Sequence, residues 1–348
     1  MKILMTTDAV GGVWQYALDL AAGITRRGAE ILLATLGPPP SAAQRQQAKA
    51  IAGLTLAEGD FPLEWEQNPW SGVDASGKWL LQLQANYDAD LAHLNGYSHA
   101  ALPWKIPVIT VAHSCVFSWW RAVHGTAPGT EWTEYRRRVT EGLKAAPAIV
   151  APTIAMARNL SHEYGIPIEK VKTIANFSLA SPTMQHEKQP LILSAGRIWD
   201  VAKNLKRLSG LAPQLRWKLR IADGTLPHAE LLNEMTRAGI FGHPSLYEPF
   251  GLAVLEAARS RCCLVLSDIP SLRELWDGAA VFINPRDEQE WVRQLNKLAE
   301  NEERRNSLAA LAFARSKRYD AAQSLQEYWT LYGKLIINSH KKTGEAAA

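Results

Sequence analysis

The stretch PSLYEPFGLAVLEA holds residue types at a spacing that could do chemistry. Glu248 lies in a turn, and Glu256 follows about two turns along a helix opening near Phe250. Pro249 and Gly251 mark that helix start, where free backbone amides and the positive end of the dipole make a site for a phosphate. Carboxylates accept hydrogen bonds from sugar hydroxyls. Phosphates on the amides of Gly251 and Leu252, with one set of hydroxyls on each glutamate, would suit a nucleotide sugar. The same residues also read as a capped helix carrying two solvated acids.

Other groups admit two readings each. Gly11 and Gly12 sit where the first strand turns into a helix, so backbone there can approach a ligand closely. A nicotinamide-dependent oxidoreductase competes for that loop. Against it, GGV lacks the full G-x-G-x-x-G spacing, and the second strand ends ATLGPPP without an acid for a ribose. His113 ends a strand in VITVAHSCV, where it would point into a cleft; alternatively it is a core histidine bonded to backbone. Trp119, Trp120, Arg121 and His124 form an aromatic and basic platform for an acceptor, or simply fill a core. Asp88 and Asp90, in DAD before a strand, read as surface acids, and no obligatory metal is expected. Arg136, Arg137 and Arg138 offer contact with anionic lipid, or a solvated helix face.

EPFGLAVLE resembles the E-x7-E element of retaining glycosyltransferases of family 4. SAGRIWDVAKNL is similar to that family's glycine, arginine and lysine element, PSLRELWDGAAVFINPRD to the stretch closing its C-terminal domain, and TTDAVGGVWQYALDLAAGITRRG to its glycine-rich loop and first helix. The resemblance implies the GT-B fold: α/β, two doubly wound Rossmann-like domains facing a cleft. It implies Arg197 and Lys203 on the donor pyrophosphate, a planar fork and a point charge. Gly11, Gly12, Phe250, Gly251, Leu252 and Glu256 would complete the donor site, with Glu256 on the ribose. Glu248 would hold the donor sugar's hydroxyls and His113 would flank that sugar. The activity implied is metal-independent transfer from a nucleotide diphosphate sugar to a glycan, lipid or small-molecule hydroxyl, with no cofactor. No residue stands out as a nucleophile, which favours same-face attack. The sequence departs from the family where WKLRIADG passes almost directly into TLPHAELLNEM, a loss of about one αβ unit that leaves the base preference open. A catalytically impaired relative acting as a nucleotide- or glycan-binding partner subunit, or a nucleotide-sugar epimerase, are the alternatives.

These residues need sheets to position them. Apolar runs alternate with helical patterns, as in stacked βαβ units. Strands are expected at KILMTT, EILLATL, LTLAEG, DLAHLNG, PVITVAHS, AIVAPT and VKTIANF, then, after the polar linker SLASPTMQHEKQP, at PLILSAG, WKLRIAD, AGIFGHP, CCLVLSD and AAVFINP. The expected domains are 1–180 (acceptor side) and 181–318 (donor side), followed by a C-terminal helix over 319–338 that packs back on the first domain and a disordered tail over 339–348.

At 348 residues, 47% hydrophobic and 21% charged, the chain has the composition of a two-domain globular protein. A net charge of +4 is far below the dense field of a nucleic-acid binder. Three cysteines make no disulfide framework or zinc set, and no signal or membrane-spanning segment stands out. A cytoplasmic protein, at most peripheral to the inner face of the membrane, is expected.

Overall fold

The computed structural model describes residues 1–180 and 186–346; part of the expected linker and residues 347–348 lie outside the described residues. The chain divides into one unit of residues 1–118, 127–175 and those from 321 onward, and another of residues 119–126 and 176–320.

The first unit contains β1 (Lys2–Asp8), α1 (Gly12–Thr25), β2 (Glu30–Leu36), α2 (Ala42–Lys49), β3 (Leu54–Glu58), α3 (Trp70–Tyr87), β4 (Leu91–Leu94) and β5 (Val108–Val111). After α4 (Val116–His124) follow α5 (Thr133–Ala145), β6 (Ala148–Ala151), α6 (Ile154–Tyr164) and β7 (Val171–Thr173). The strands form one parallel sheet in the order β3-β2-β1-β4-β5-β6-β7. Ile3, Leu4 and Met5 of β1 are fully buried, as expected for parallel strands covered on both faces. Local signals set the helix ends. Ser41 and Gln44 make a reciprocal capping box on α2. Thr153 caps α6, which stops at a left-handed Gly165.

The second unit contains β8 (Gln189–Ala195), α7 (Leu205–Gly210), β9 (Lys218–Ala222), α8 (His228–Arg237), β10 (Ala238–His243), α9 (Leu252–Arg259), β11 (Cys263–Ser267), α10 (Pro270–Trp276), β12 (Val281–Ile283), α11 (Glu288–Glu300) and α12 (Glu302–Ser316). Its parallel sheet runs β12-β11-β10-β8-β9. A full doubly wound sheet of order 3-2-1-4-5-6 would carry one more strand outside β9. Here α8 passes without a loop into β10, and a register shift between Ala238 and Ile240 absorbs the junction. The shortened unit therefore closes a five-stranded sheet. Ile192, Leu208, Ile240, Val265, Trp291 and Leu295 form its core.

All twelve expected strands are present. Four boundaries differ. The first domain is expected to run to 180, whereas residues 176–180 group with the second unit, where Ser178 bonds Glu256. Residues 119–126 group with the second unit, because Val123 is buried with Ala202 and Tyr247. The chain returns to the first unit at 321 rather than 319, as α13 (Ala321–Ala346). That helix continues through 339–346, where a tail is expected, and no proline interrupts it. α13 docks on α1, with Leu325 against Gly23.

Candidate functional site

In the second unit, two loops at the carboxyl ends of β8 and β10 are tied together. Asn204 donates from Nδ2 to Pro244 O (3.0 Å) and Pro285 O (2.9 Å), and Leu246 N donates to Ala202 O at 2.8 Å. This lacing brings Lys203 Nζ to 2.6 Å from Glu248 Oε2, and His243 Nε2 lies 2.9 Å from the same oxygen. Ser245 Oγ stands 2.7 Å from His243 Nε2, and Ser271 Oγ donates to the Glu248 carbonyl. Burial alone would push the Glu248 carboxyl up, but Lys203 and His243 outweigh it and hold the group well below the usual carboxylate range. Burial lowers the His243 pKa, so at neutral pH this ring is uncharged. Its Nδ1 is buried and has no hydrogen-bond partner among the described residues.

Gly251 caps α9 at φ 87°, a left-handed conformation suited to glycine, and offers no side chain to the helix's first amides. That leaves donors for an anion beside Glu248. The Phe250 ring is buried edge-on against Tyr319, with centroids 5.6 Å apart, so it supports the loop as core. Glu256 is 3% exposed, and its Oε1 accepts from Ser178 Oγ (3.0 Å) and lies 2.9 Å from His228 Nε2, at the first residue of α8. Arg197 pairs with Asp200 at 2.8 Å, with its guanidinium over the exposed Trp199 ring. Both expected phosphate cations thus already hold a carboxylate partner.

Trp119, Trp120 and His124 gather at the end of α4, the Trp120 and His124 rings 4.6 Å apart and the two indoles 6.3 Å apart. They lie in the second unit rather than in the expected first domain. Val123 packs there with Ala202 and Tyr247, chain neighbours of Lys203 and Glu248, and Trp119 packs against this cluster. Arg286 donates to Val123 O at 2.9 Å and Ala122 O at 3.3 Å, filling carbonyls left open at the end of α4. Arg121 is exposed.

In the first unit, Gly11 is the N-cap of α1 and Asp8 Oδ1 accepts from Val10 N at 2.9 Å. A Cβ on Gly12 would meet nothing within 4 Å, so packing does not require glycine there. His113 Nε2 lies 2.8 Å from Asn95 Oδ1, and the ring stands edge-on to Tyr16 at 4.4 Å. His93 joins the same oxygen at 3.2 Å and reaches Tyr332 Oη at 2.7 Å through Nδ1. Burial first, then His93, hold the His113 pKa down at about 3.

The sequence did not point to His243, Ser178, His228, Arg286 or Asn95. A polar residue just past an apolar strand, as in DLAHLNG, was the available signal for Asn95. The acids at 88 and 90 and the arginine run have partners of their own. Lys2 N donates to Asp90 at 2.7 Å and Lys2 Nζ lies 3.9 Å from Asp88. Arg137 pairs with Glu134 and Glu141, Arg138 with Asp74 and Glu134, and Arg136 lies over Phe117 and bonds Glu163 O. No described helix is long and apolar enough to cross a membrane.

The family model described as Glycosyltransferase Family 4 matches residues 10–177, and that described as Glycosyl transferases group 1 matches 224–315. The chain is 23% identical to the O-antigen chain mannosyltransferase RfbU of Salmonella typhimurium, over 51% of this chain and 58% of that protein. It is 31% identical to the GDP-mannose:cellobiosyl-diphosphopolyprenol alpha-mannosyltransferase of Komagataeibacter xylinus, over 45% of this chain and 40% of that one. The alignments thus span about half the length of these relatives. The sucrose-phosphate synthase structure from Thermosynechococcus elongatus superposes with a TM-score of 0.78 at 13% identity, covering 97% of this chain and 100% of that one. Two family models in the order of the two units, on two parallel Rossmann-like sheets, identify the chain as a family 4-like glycosyltransferase of the GT-B fold.

Proposed function

We propose that the chain transfers a sugar from a nucleotide diphosphate donor to an acceptor hydroxyl, with retention and without a metal. The observation that carries this reading is the Lys203–Glu248–His243 cluster beside the uncapped start of α9. The donor phosphates rest on the amides of Gly251 and Leu252. Drawing Lys203 and Arg197 onto phosphate frees Glu248 to accept from sugar hydroxyls, while His243 keeps its carboxylate in place. Glu256 takes the ribose diol, and Ser178 and His228 orient it. His113 meets a sugar hydroxyl, and the tryptophans at 119 and 120, with Arg121 and His124, serve the acceptor. In the transfer, the bond from the anomeric carbon to the phosphate oxygen breaks and that to the acceptor oxygen forms on the same face. The acceptor's proton passes to the leaving phosphate.

The relatives are named for mannose transfer and O-antigen chains, which supports a glycan-building role with a glycan acceptor. The shortened second sheet favours one other reading, a partner subunit that binds nucleotide without turnover. Incubation with a panel of UDP, GDP and ADP sugars, followed by NMR of the product's anomeric configuration, tests the proposal. A product of retained configuration that disappears in Glu248→Ala supports it. Nucleotide binding without turnover of any donor supports the partner-subunit reading, and sugar conversion without acceptor supports an epimerase.

A further inference from the structure

In the first unit, hydrogens at a chain of polar groups follow from which atoms can only accept. The carbonyl of Thr6 is such an atom, and Asn95 Nδ2 donates to it at 2.7 Å. Asn95 N donates to Thr6 Oγ1 at 2.9 Å, fixing the residue a second time. The amide is therefore oriented with Oδ1 toward the two imidazoles. Oδ1 in turn can only accept, so His113 Nε2 (2.8 Å) and His93 Nε2 (3.2 Å) both carry hydrogen. The bare His93 Nδ1 accepts from Tyr332 Oη at 2.7 Å. His113 Nδ1 is bare as well, and among the described residues it makes no hydrogen bond.

The groups facing His113 are Tyr16 from α1, His93 from β4 and, behind these, Tyr328 and Tyr332 from α13. Burial pushes the three tyrosine hydroxyls up and both imidazoles down to about 3. No carboxylate or ammonium bonds to His113 among the described residues, so nothing there favours an imidazolium.

We propose that Asn95 is a positioning residue that locks His113 in its Nε2–H tautomer and leaves Nδ1 an obligate acceptor for a hydroxyl of a substrate sugar. This rests on the transferase reading and deepens it. A lone pair at Nδ1 selects a group that donates, a sugar hydroxyl, over one that only accepts, such as a phosphate oxygen. An imidazolium, or the Nδ1–H tautomer, would reverse the selection.

Long-range proton–nitrogen NMR of the histidine rings in the wild-type protein tests the tautomer directly. Nε2–H on both His93 and His113, unchanged from pH 8 to about pH 5, is the expected result; Nδ1–H on His113 overturns the proposal. The second arm is Asn95→Asp, which places a carboxylate against both Nε2–H groups and favours the imidazolium. In this variant His113 should titrate within the range from pH 5 to 8. Its kcat/KM should fall about tenfold on the acid side of that titration and recover on the basic side, the loss appearing in KM for the sugar. A uniform loss, with the wild-type pH profile, overturns the proposal in favour of a purely structural role. Should the wild type turn over no donor, the transferase reading fails by itself, and an Nδ1–H on His113 still overturns this inference.

Discussion

Lys203 Nζ and Glu248 Oε2 stand 2.6 Å apart, 45 positions apart in the chain, on a carboxylate that is only 8% exposed. The two groups expected to meet different parts of one donor instead neutralise each other. Removing one partner strands the other. Lys203→Ala should therefore destabilise the second unit by about 3 kcal/mol, because it leaves a buried carboxylate with His243 as its nearest donor. Adding Glu248→Gln should return most of that stability while transfer stays abolished. Urea unfolding of the single and double variants checks both, and a Lys203→Ala midpoint equal to wild type would refute the pairing.

His93 and His113 make the protein sensitive to mild acid. Their folded pKa values, about 3, lie below the unfolded value of 6.5. The stability they contribute is complete above pH 6.5 and is lost as pH falls toward 3, at about 1.4 kcal/mol per pH unit for each ring. Glu248 and Glu134, whose pKa values are lowered, add their own loss only below their unfolded value of 4.5. Urea midpoints at pH 7.5, 6.0 and 5.0 should therefore already decline before any carboxylate titrates. A flat response over that range would show that the rings are not held neutral by burial.

Besides the Leu325 contact, a buried hydrogen bond joins α13 to α1, Tyr16 Oη donating to Tyr328 Oη at 2.7 Å. Tyr328→Phe leaves the fully buried Tyr16 hydroxyl without its partner, which should lower stability by about 1–3 kcal/mol. Calorimetry of Tyr328→Phe beside Tyr16→Phe and the double variant checks this. The double variant should be no worse than either single one, and additive losses would contradict the bond.

Gly142, inside α5, lets that helix approach Tyr97 and Ser98 closely. A Cβ there would run into the Tyr97 carbonyl oxygen, and the obstacle is backbone that cannot swing aside. Gly142→Ala should cost about 1–3 kcal/mol despite alanine's better helix propensity. A stabilised variant, by thermal melting, would mean that the helix and the turn are further apart than described.

What the sequence made legible follows from range. Parallel strands buried on both faces are continuous apolar runs, so KILMTT and CCLVLSD announced themselves, as did the helix start at Pro249 and Gly251. The missing αβ unit was visible as a gap, and the sheet closes without it because α8 feeds β10 directly. The partners of the site residues were not legible. Asn95 and His113 are 18 positions apart, and Ser178 and Glu256 are 78, and no local pattern joins them. Trp119 and its neighbours were expected in the first domain because they follow β5 in sequence. Packing of Val123 on Ala202 and Tyr247 overrides that order.

Glu256 offers the sharpest check on the donor site. Its Oε1 is taken by Ser178 and His228, so a ribose diol has to bond the other oxygen or displace one of these partners. His228, at the first residue of α8 on the connection that follows β9, supports that carboxylate from 2.9 Å. A nucleotide sugar at 100 times its dissociation constant should add about 2.7 kcal/mol to the wild type, readable as a shift in the unfolding midpoint. Glu256→Ala should abolish that shift. His228→Ala, which keeps the carboxylate but loosens it, should weaken nucleotide binding about tenfold and leave a reduced shift at the same concentration. Of UDP, GDP and ADP sugars, one base should stand out, with NAD inert. An equal shift in wild type and Glu256→Ala would move the ribose elsewhere. No shift with any nucleotide sugar would mean that the five-stranded unit does not bind a donor.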